Sequence, residues 1–167
     1  MQVQRLKERT DVAEMPLDVE RILTDEAAAE HYERALNDLL RARRDVLITS
    51  AQTDADVRQA VAAGRAHGLT GKEVSERIAR LFAAVLRRID MKAVAGLVLT
   101  GGDTAVHICR ALGVHSIEIL REIEPGVPLG VMEGADMAPI FVATKAGAFG
   151  DADTFVRAVH MIRNLEG

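Results

Sequence analysis

The sequence predicts an α/β fold, a three-layer α/β/α sandwich with a mainly parallel sheet. Short β-branched apolar runs, such as residues 45–50 and 96–100, alternate with longer segments whose apolar residues recur at helical spacing. Strands separated by helices usually pair in parallel, with helices on both faces of the sheet. The 167 residues have the length of one typical domain. We therefore expect a single domain over residues 1–167.

The order of the elements follows from capping residues and apolar periodicity. Thr24 is predicted to cap one long helix, and Thr70 another whose apolar stripe, through Ile89, should pack on a sheet. Gly113 should end a helix in the left-handed conformation. Residues 122–134 hold two prolines and three glycines, which predicts a long loop. The remaining predictions are helices over about 2–9, 18–23, 25–43, 54–66, 104–112 and 153–165, and strands over about 12–15, 45–50, 96–100, 116–121 and 140–144.

Composition argues against several classes of function. The net charge is −4, aromatic residues make up 3% and tryptophan is missing, so nucleic acid is not an expected partner. The basic cluster at residues 41–44 is interpreted as a solvated helix end. One cysteine, Cys109, excludes an intrachain disulfide and fits a cytoplasmic protein. The sequence shows no apolar run of membrane-spanning length and no signal-peptide core near Met1, so no membrane association is expected.

Two glycine-bearing turns are the strongest indication of a site. The first, Gly101-Gly102-Asp103-Thr104, follows the apolar run 95–99 and precedes a helical pattern. Glycine lets backbone N–H groups approach an anion, and a helix N-terminus adds positive potential. Asp103 could hold a divalent cation such as Mg²⁺, or it could merely cap the helix of a tight turn.

The second turn, residues 145–150, follows the apolar run 139–144. Lys145 is expected to act there as a mobile cation, with Gly147 and Gly150 exposing backbone amides to the same anion. A surface lysine without a ligand is the alternative. Neither turn matches the P-loop or the dinucleotide fingerprint, and the five histidines lack metal-ligand spacing.

Four ordered motifs together resemble the four-carbon acid sugar kinases, formerly a domain of unknown function, and specifically their C-terminal nucleotide-binding domain. These motifs are residues 99–105, 111–113, 122–130 and 145–150, and the resemblance covers nearly the whole chain. It implies a transferase of carbohydrate metabolism in which ATP donates its γ-phosphate to a tetronate-like acid. By the same resemblance, residues 101–104 would line the ATP phosphates and Gly147 would touch the nucleotide. A ligand role for Lys145 rests on electrostatics alone.

The resemblance also implies that a sugar-acid-binding domain or chain must supply the acceptor half. We expect the chain not to turn over by itself, and leave open whether it is a fragment or a natural short form. An inactive ATP-sensing or oligomerising module, for example one that forms a homodimer, is the alternative function. A third is a different α/β enzyme acting on a small phosphorylated metabolite. Glu122 to Pro128 could close over the site or could simply connect two elements.

Overall fold

The computed structural model describes residues 1–135, 137–147 and 149–166. Helices and strands alternate along most of the chain, which confirms the α/β class. In chain order the elements are α1 (Gln2–Arg9), β1 (Ala13–Pro16), α2 (Val19–Thr24), α3 (Ala28–Arg41), β2 (Val46–Thr49), α4 (Asp54–Ala66), α5 (Gly71–Leu86), a 3₁₀ turn (Met91–Ala93), β3 (Gly96–Thr100), α6 (Gly102–Ala111), β4 (Val114–Glu124), β5 (Val127–Gly134), β6 (Met137–Lys145) and α7 (Thr154–Glu166).

The chain divides into two compact units. The terminal unit comprises Met1–Asp11 and Asp90–Gly167, and the central unit comprises Val12–Ile89. That the two act together as one nucleotide-binding domain stays a prediction.

The central unit combines a short parallel sheet with four helices. Strand β1 pairs with β2 in parallel, Ala13 lying opposite Val46. Thr70 caps α5 as predicted, and its hydroxyl accepts a hydrogen bond from the Glu73 N–H. Helix α5 packs against α2, α3 and α4. These neighbours are helices, and packing of the apolar stripe of α5 on a sheet stays a prediction.

The start of α3 also differs from the prediction. Thr24 ends α2 and its hydroxyl donates to the Glu20 carbonyl, so it does not cap the next helix. The Asp25 carboxylate accepts the N–H of Ala27, and α3 begins only at Ala28. The residue before α3 is Ala27, so Thr24 lies three positions too early to cap this helix.

The terminal unit contains a four-stranded sheet in the order β3-β6-β5-β4. Strand β3 is parallel to β6, whereas β5 runs antiparallel to both β6 and β4. The core of this unit lies between the sheet and α7, where Leu129 and Ala143 contact Ala158 and Ile162. Parallel pairing is thus present in both units, and the terminal sheet adds two antiparallel pairs that the sequence did not predict.

The predicted loop over residues 122–134 was wrong. These residues complete β4, turn at Pro125-Gly126 and form the whole of β5. Gly126 has φ +80°, a conformation that glycine adopts without strain, so it makes the hairpin turn. Val127, Leu129 and Met132 are buried. The prolines and glycines therefore mark a hairpin turn and a close-packed central strand.

Candidate functional site

The first glycine turn joins β3 to α6. Gly101 has φ +86°, as a left-handed glycine turn requires, and α6 begins at Gly102. No side chain of the described residues caps this helix. The first N–H groups of an α-helix have no partner within it, and together with the helix dipole they attract anions. The turn therefore presents backbone donors to an anionic ligand.

Asp103 does not cap α6. The helix was predicted to begin near Thr104, but it begins two residues earlier, so Asp103 lies inside its first turn. Its backbone carbonyl contacts His107 Nδ1 at 2.8 Å, and the residue is exposed. A carboxylate so placed suits a hard divalent cation, although the described residues contain no cluster of three His, Cys, Asp or Glu side chains that could hold a metal alone. The metal role of Asp103 stays a prediction.

The second turn begins at the end of β6, and Lys145 is not a mobile cation within it. Lys145 is only 5% exposed. Its Nζ donates to the backbone oxygens of Ala146 at 3.1 Å, Gly147 at 2.7 Å and Phe149 at 2.8 Å. The side chain folds back onto its own turn because these carbonyls compensate the buried charge. Ala148 lies outside the described residues.

The two turns lie side by side. Thr100 at the end of β3 is opposite Lys145 at the end of β6, and the strands run in the same direction. The N–H of Gly101 donates to the Lys145 carbonyl at 3.4 Å, which joins the turns directly. A Cβ added to Gly102 or Gly147 would meet no atom within 4 Å, so both glycines face open space. Two exposed glycines thus lie in neighbouring turns at one sheet edge.

The β4–β5 hairpin turn reaches the same edge. Because β5 is antiparallel to β6, its first residues lie beside the last residues of β6. A Cβ on Gly126 would run into the ring of Phe149 in the second turn. Residues 122–128 therefore pack onto the second turn as a hairpin, whereas the sequence left open a closing loop or a plain connection.

A polar network fixes the hairpin to the second turn. Glu124 accepts hydrogen bonds from Thr154 and Arg157 at the start of α7. Arg157 also donates to Asp151 at 2.8 Å, and this bond holds the pKa of the Asp151 carboxyl below its usual value. Gln2 Nε2 in α1 donates to the Asp151 carbonyl at 2.8 Å.

Sequence reasoning missed most of this network. Glu124 belonged to a recognised motif, and its partners Thr154 and Arg157 lie thirty or more residues away in the chain, so local sequence did not reveal the contact. The predicted site residues in the two turns are nevertheless brought together. Their contact with a nucleotide stays a prediction.

The central unit contains a separate concave region. A cavity of about 460 Å³ lies where β1 and β2 end, next to the N-terminus of α4, and its lining includes Pro16, Thr49, Gln52 and Asp56. It shares none of the predicted site residues. Among the described helices, none combines the length and the apolar composition needed to cross a membrane.

Comparison with known proteins defines the class to which the chain belongs. The chain belongs to the family described as the nucleotide-binding C-terminal domain, whose model matches residues 1–155. The match confirms the resemblance seen in the four motifs.

Individual relatives are kinases of four-carbon acids. The chain is 31% identical over 154 residues to D-threonate kinase of Salmonella typhimurium, covering 89% of this chain and 36% of that protein. It is 31% identical over 149 residues to 3-oxo-tetronate kinase of Pectobacterium atrosepticum, covering 85% of this chain and 32% of that protein. The chain thus spans about a third of the length of these relatives.

Solved structures share the fold. A Haemophilus influenzae protein with a domain of unknown function superposes with a TM-score of 0.77 at 24% identity, over 96% of this chain and 37% of that one. A Bordetella bronchiseptica protein, described as a domain-swapped dimer with bound citrate, gives a TM-score of 0.65 at 29% identity, over 97% of this chain and 35% of that one.

Proposed function

We propose that this chain is the ATP-binding domain of a kinase that phosphorylates a four-carbon sugar acid of the tetronate type. The observation that carries the proposal is that the turns containing Gly101-Gly102 and Gly147 lie side by side at one edge of a parallel strand pair, in a chain of a nucleotide-binding family. The kinase relatives supply the reaction class and the acid. The cytoplasmic location expected from the sequence belongs to this proposal as well.

The first turn would hold the phosphate chain. N–H groups of Gly102, Asp103 and Thr104 lie in the first turn of α6, whose dipole favours negative charge. Gly147 would donate from the neighbouring turn. Fixed donors of this kind are suited to phosphoryl transfer, because it depends chiefly on positioning and charge stabilisation.

Asp103 is the residue in this turn that could hold Mg²⁺. Its carboxylate is exposed beside the helix N-terminus, and carboxylate oxygens are ligands that Mg²⁺ prefers. The metal would come with the nucleotide and complete its shell with phosphate oxygens and water, as is usual in kinase sites. When bound, it neutralises negative charge on the phosphates.

The acceptor half is proposed to come from a sugar-acid-binding domain or chain. This follows from the share of the kinase relatives that the chain spans, about a third of their length. We therefore expect the 167-residue chain to bind ATP·Mg²⁺ without phosphorylating a tetronate.

Calorimetric titration tests the proposal. The chain should bind ATP·Mg²⁺, and kinase activity on D-threonate or a related acid should appear when the N-terminal domain of a kinase relative is added. Failure to bind ATP·Mg²⁺ at millimolar concentration would refute the nucleotide role. Binding without any rescued activity would favour an ATP-sensing module instead.

An oligomerising module is the second candidate, and one feature favours it. Strand β4 is an edge strand of eleven residues that leaves Ile117, Ile119 and Leu120 largely exposed. Exposed apolar edge strands invite pairing with another chain. Analytical ultracentrifugation should then show a homodimer that Ile119→Lys converts to a monomer. A wild-type monomer at high micromolar concentration would remove this candidate.

A further inference from the structure

The ammonium group of Lys145 is enclosed by backbone carbonyls of its own turn. Its three hydrogens match three acceptors, the oxygens of Ala146, Gly147 and Phe149, at 2.7 to 3.1 Å. The side chain is nearly fully buried, and the ring of Phe155 lies 5.8 Å from Nζ. With all donors engaged, Nζ has none left for an anion.

The environment keeps this arrangement in place. Burial lowers the pKa of Lys145, and the negative charge of Glu124 partly opposes that effect. Gln2 Nε2 donates to the Phe149 carbonyl at 3.2 Å, so this oxygen is held from two sides. The turn is therefore built around the ammonium group.

The enclosed carbonyls determine where the amides point. In a trans peptide the carbonyl and the following N–H point in opposite directions. Since the Ala146 oxygen faces Nζ, the N–H of Gly147 faces away from it. By the same geometry the Phe149 oxygen directs the N–H of Gly150 away from Nζ. Gly147 is exposed, and a Cβ added to it would meet no atom within 4 Å, so a ligand has room to approach this residue.

We propose that Lys145 is a positioning residue: it collects the carbonyls of the second turn around its ammonium group so that the Gly147 N–H is presented to a phosphate oxygen, and it does not touch the phosphate itself. This inference rests on the proposed nucleotide function. The Lys145 ammonium group was expected from the sequence to bind the anion. The proposal gives that role to the backbone N–H of Gly147, which Lys145 orients.

A double-mutant cycle on ATP·Mg²⁺ affinity tests the inference. Lys145→Met should weaken binding about 10-fold or more, the loss expected for one hydrogen bond to a charged group. Gly147→Pro removes the N–H and should cause a similar loss. If Lys145 acts through this N–H, Lys145→Met should cost less than about 2-fold more in the Gly147→Pro background.

The matched control is Lys92→Met, which makes the same change at an exposed lysine of the same unit and should leave affinity unchanged. The inference is overturned if the losses from Lys145→Met and Gly147→Pro multiply, because Lys145 would then contact the phosphate independently. It is also overturned if Lys145→Met folds and binds ATP·Mg²⁺ normally.

Nitrogen-15 NMR of the wild type keeps the inference testable if the variants fail to fold. The Lys145 ammonium resonance should exchange slowly with water, unlike that of Lys92. On addition of ATP·Mg²⁺ the Gly147 amide should shift while the ammonium resonance stays in place. A rapidly exchanging ammonium, or an ammonium shift without a Gly147 shift, would overturn the inference. If the wild type binds no nucleotide, the proposed function fails. Slow ammonium exchange would then still show that Lys145 organises the turn, whereas rapid exchange would show that it does not.

Discussion

Replacing Gly102 with alanine should separate nucleotide binding from folding. An added Cβ meets no atom within 4 Å, and Gly102 is the first residue of α6. The free energy of unfolding should therefore stay unchanged or rise by up to about 1 kcal/mol, because alanine has less backbone entropy to lose. The same Cβ projects into the space that a phosphate would fill. Losing one charge-assisted hydrogen bond costs about 1.5–3 kcal/mol, or about 10- to 100-fold in affinity.

The assay pairs calorimetry with thermal unfolding, and Gly71→Ala is its control. Gly71 is likewise the first residue of its helix, and its added Cβ would lie 3.5 Å from Val61 Cγ2, an ordinary contact. Gly71→Ala should bind ATP·Mg²⁺ like the wild type. Gly102→Ala should melt no earlier than the wild type and bind more weakly. Wild-type affinity in a folded Gly102→Ala variant would refute the placement of phosphates at the first turn.

Three further predictions concern stability. Glu124→Gln should lower the free energy of unfolding by about 1–3 kcal/mol, because a carboxylate only 15% exposed would lose its charge-assisted bond to Arg157; an unchanged urea midpoint would contradict this. The Asp151 carboxyl has a folded-state pKa below its ordinary 3.8. Its contribution to the free energy of unfolding is therefore present in full above pH 3.8 and is lost as the pH falls through the lower, folded-state pKa. Melting temperature should therefore fall less steeply with acid in Asp151→Asn, and parallel profiles would refute the linkage. Thr70→Ala should lower the free energy of unfolding by about 1 kcal/mol, because it removes the hydroxyl that accepts the Glu73 N–H. Thr70→Ser keeps a hydroxyl and should retain most of the wild-type stability.

Local signals predicted most of the fold. Strand 96–100 and helices 2–9 and 54–66 have the predicted limits, because apolar periodicity and capping residues act within a few positions. Gly113 takes φ +66°, as its place after a helix indicated. The strand predicted over residues 116–121 lies within β4, but the hairpin that β4 forms with β5 escaped prediction, because β5 is stabilised by pairing with β4 and β6, which local composition does not reveal.

The sequence predicted that the two glycine turns are neighbours, but it did not predict the contacts inside the second turn. The rule that parallel strands end at one edge correctly brought the two glycine turns together. The state of Lys145 could not be inferred, since the acceptors that enclose it depend on the folded path of the turn. The contacts of Glu124 with α7 span about thirty residues and leave no mark in the local sequence.

Mapping ATP·Mg²⁺ binding onto the backbone amides by nitrogen-15 NMR tests the central claim most directly. The amide resonances of Gly101, Gly102 and Gly147 should shift together and saturate with one dissociation constant. Shifts confined to the cavity where β1 and β2 end, with the resonances of these three glycines unmoved, would contradict the account.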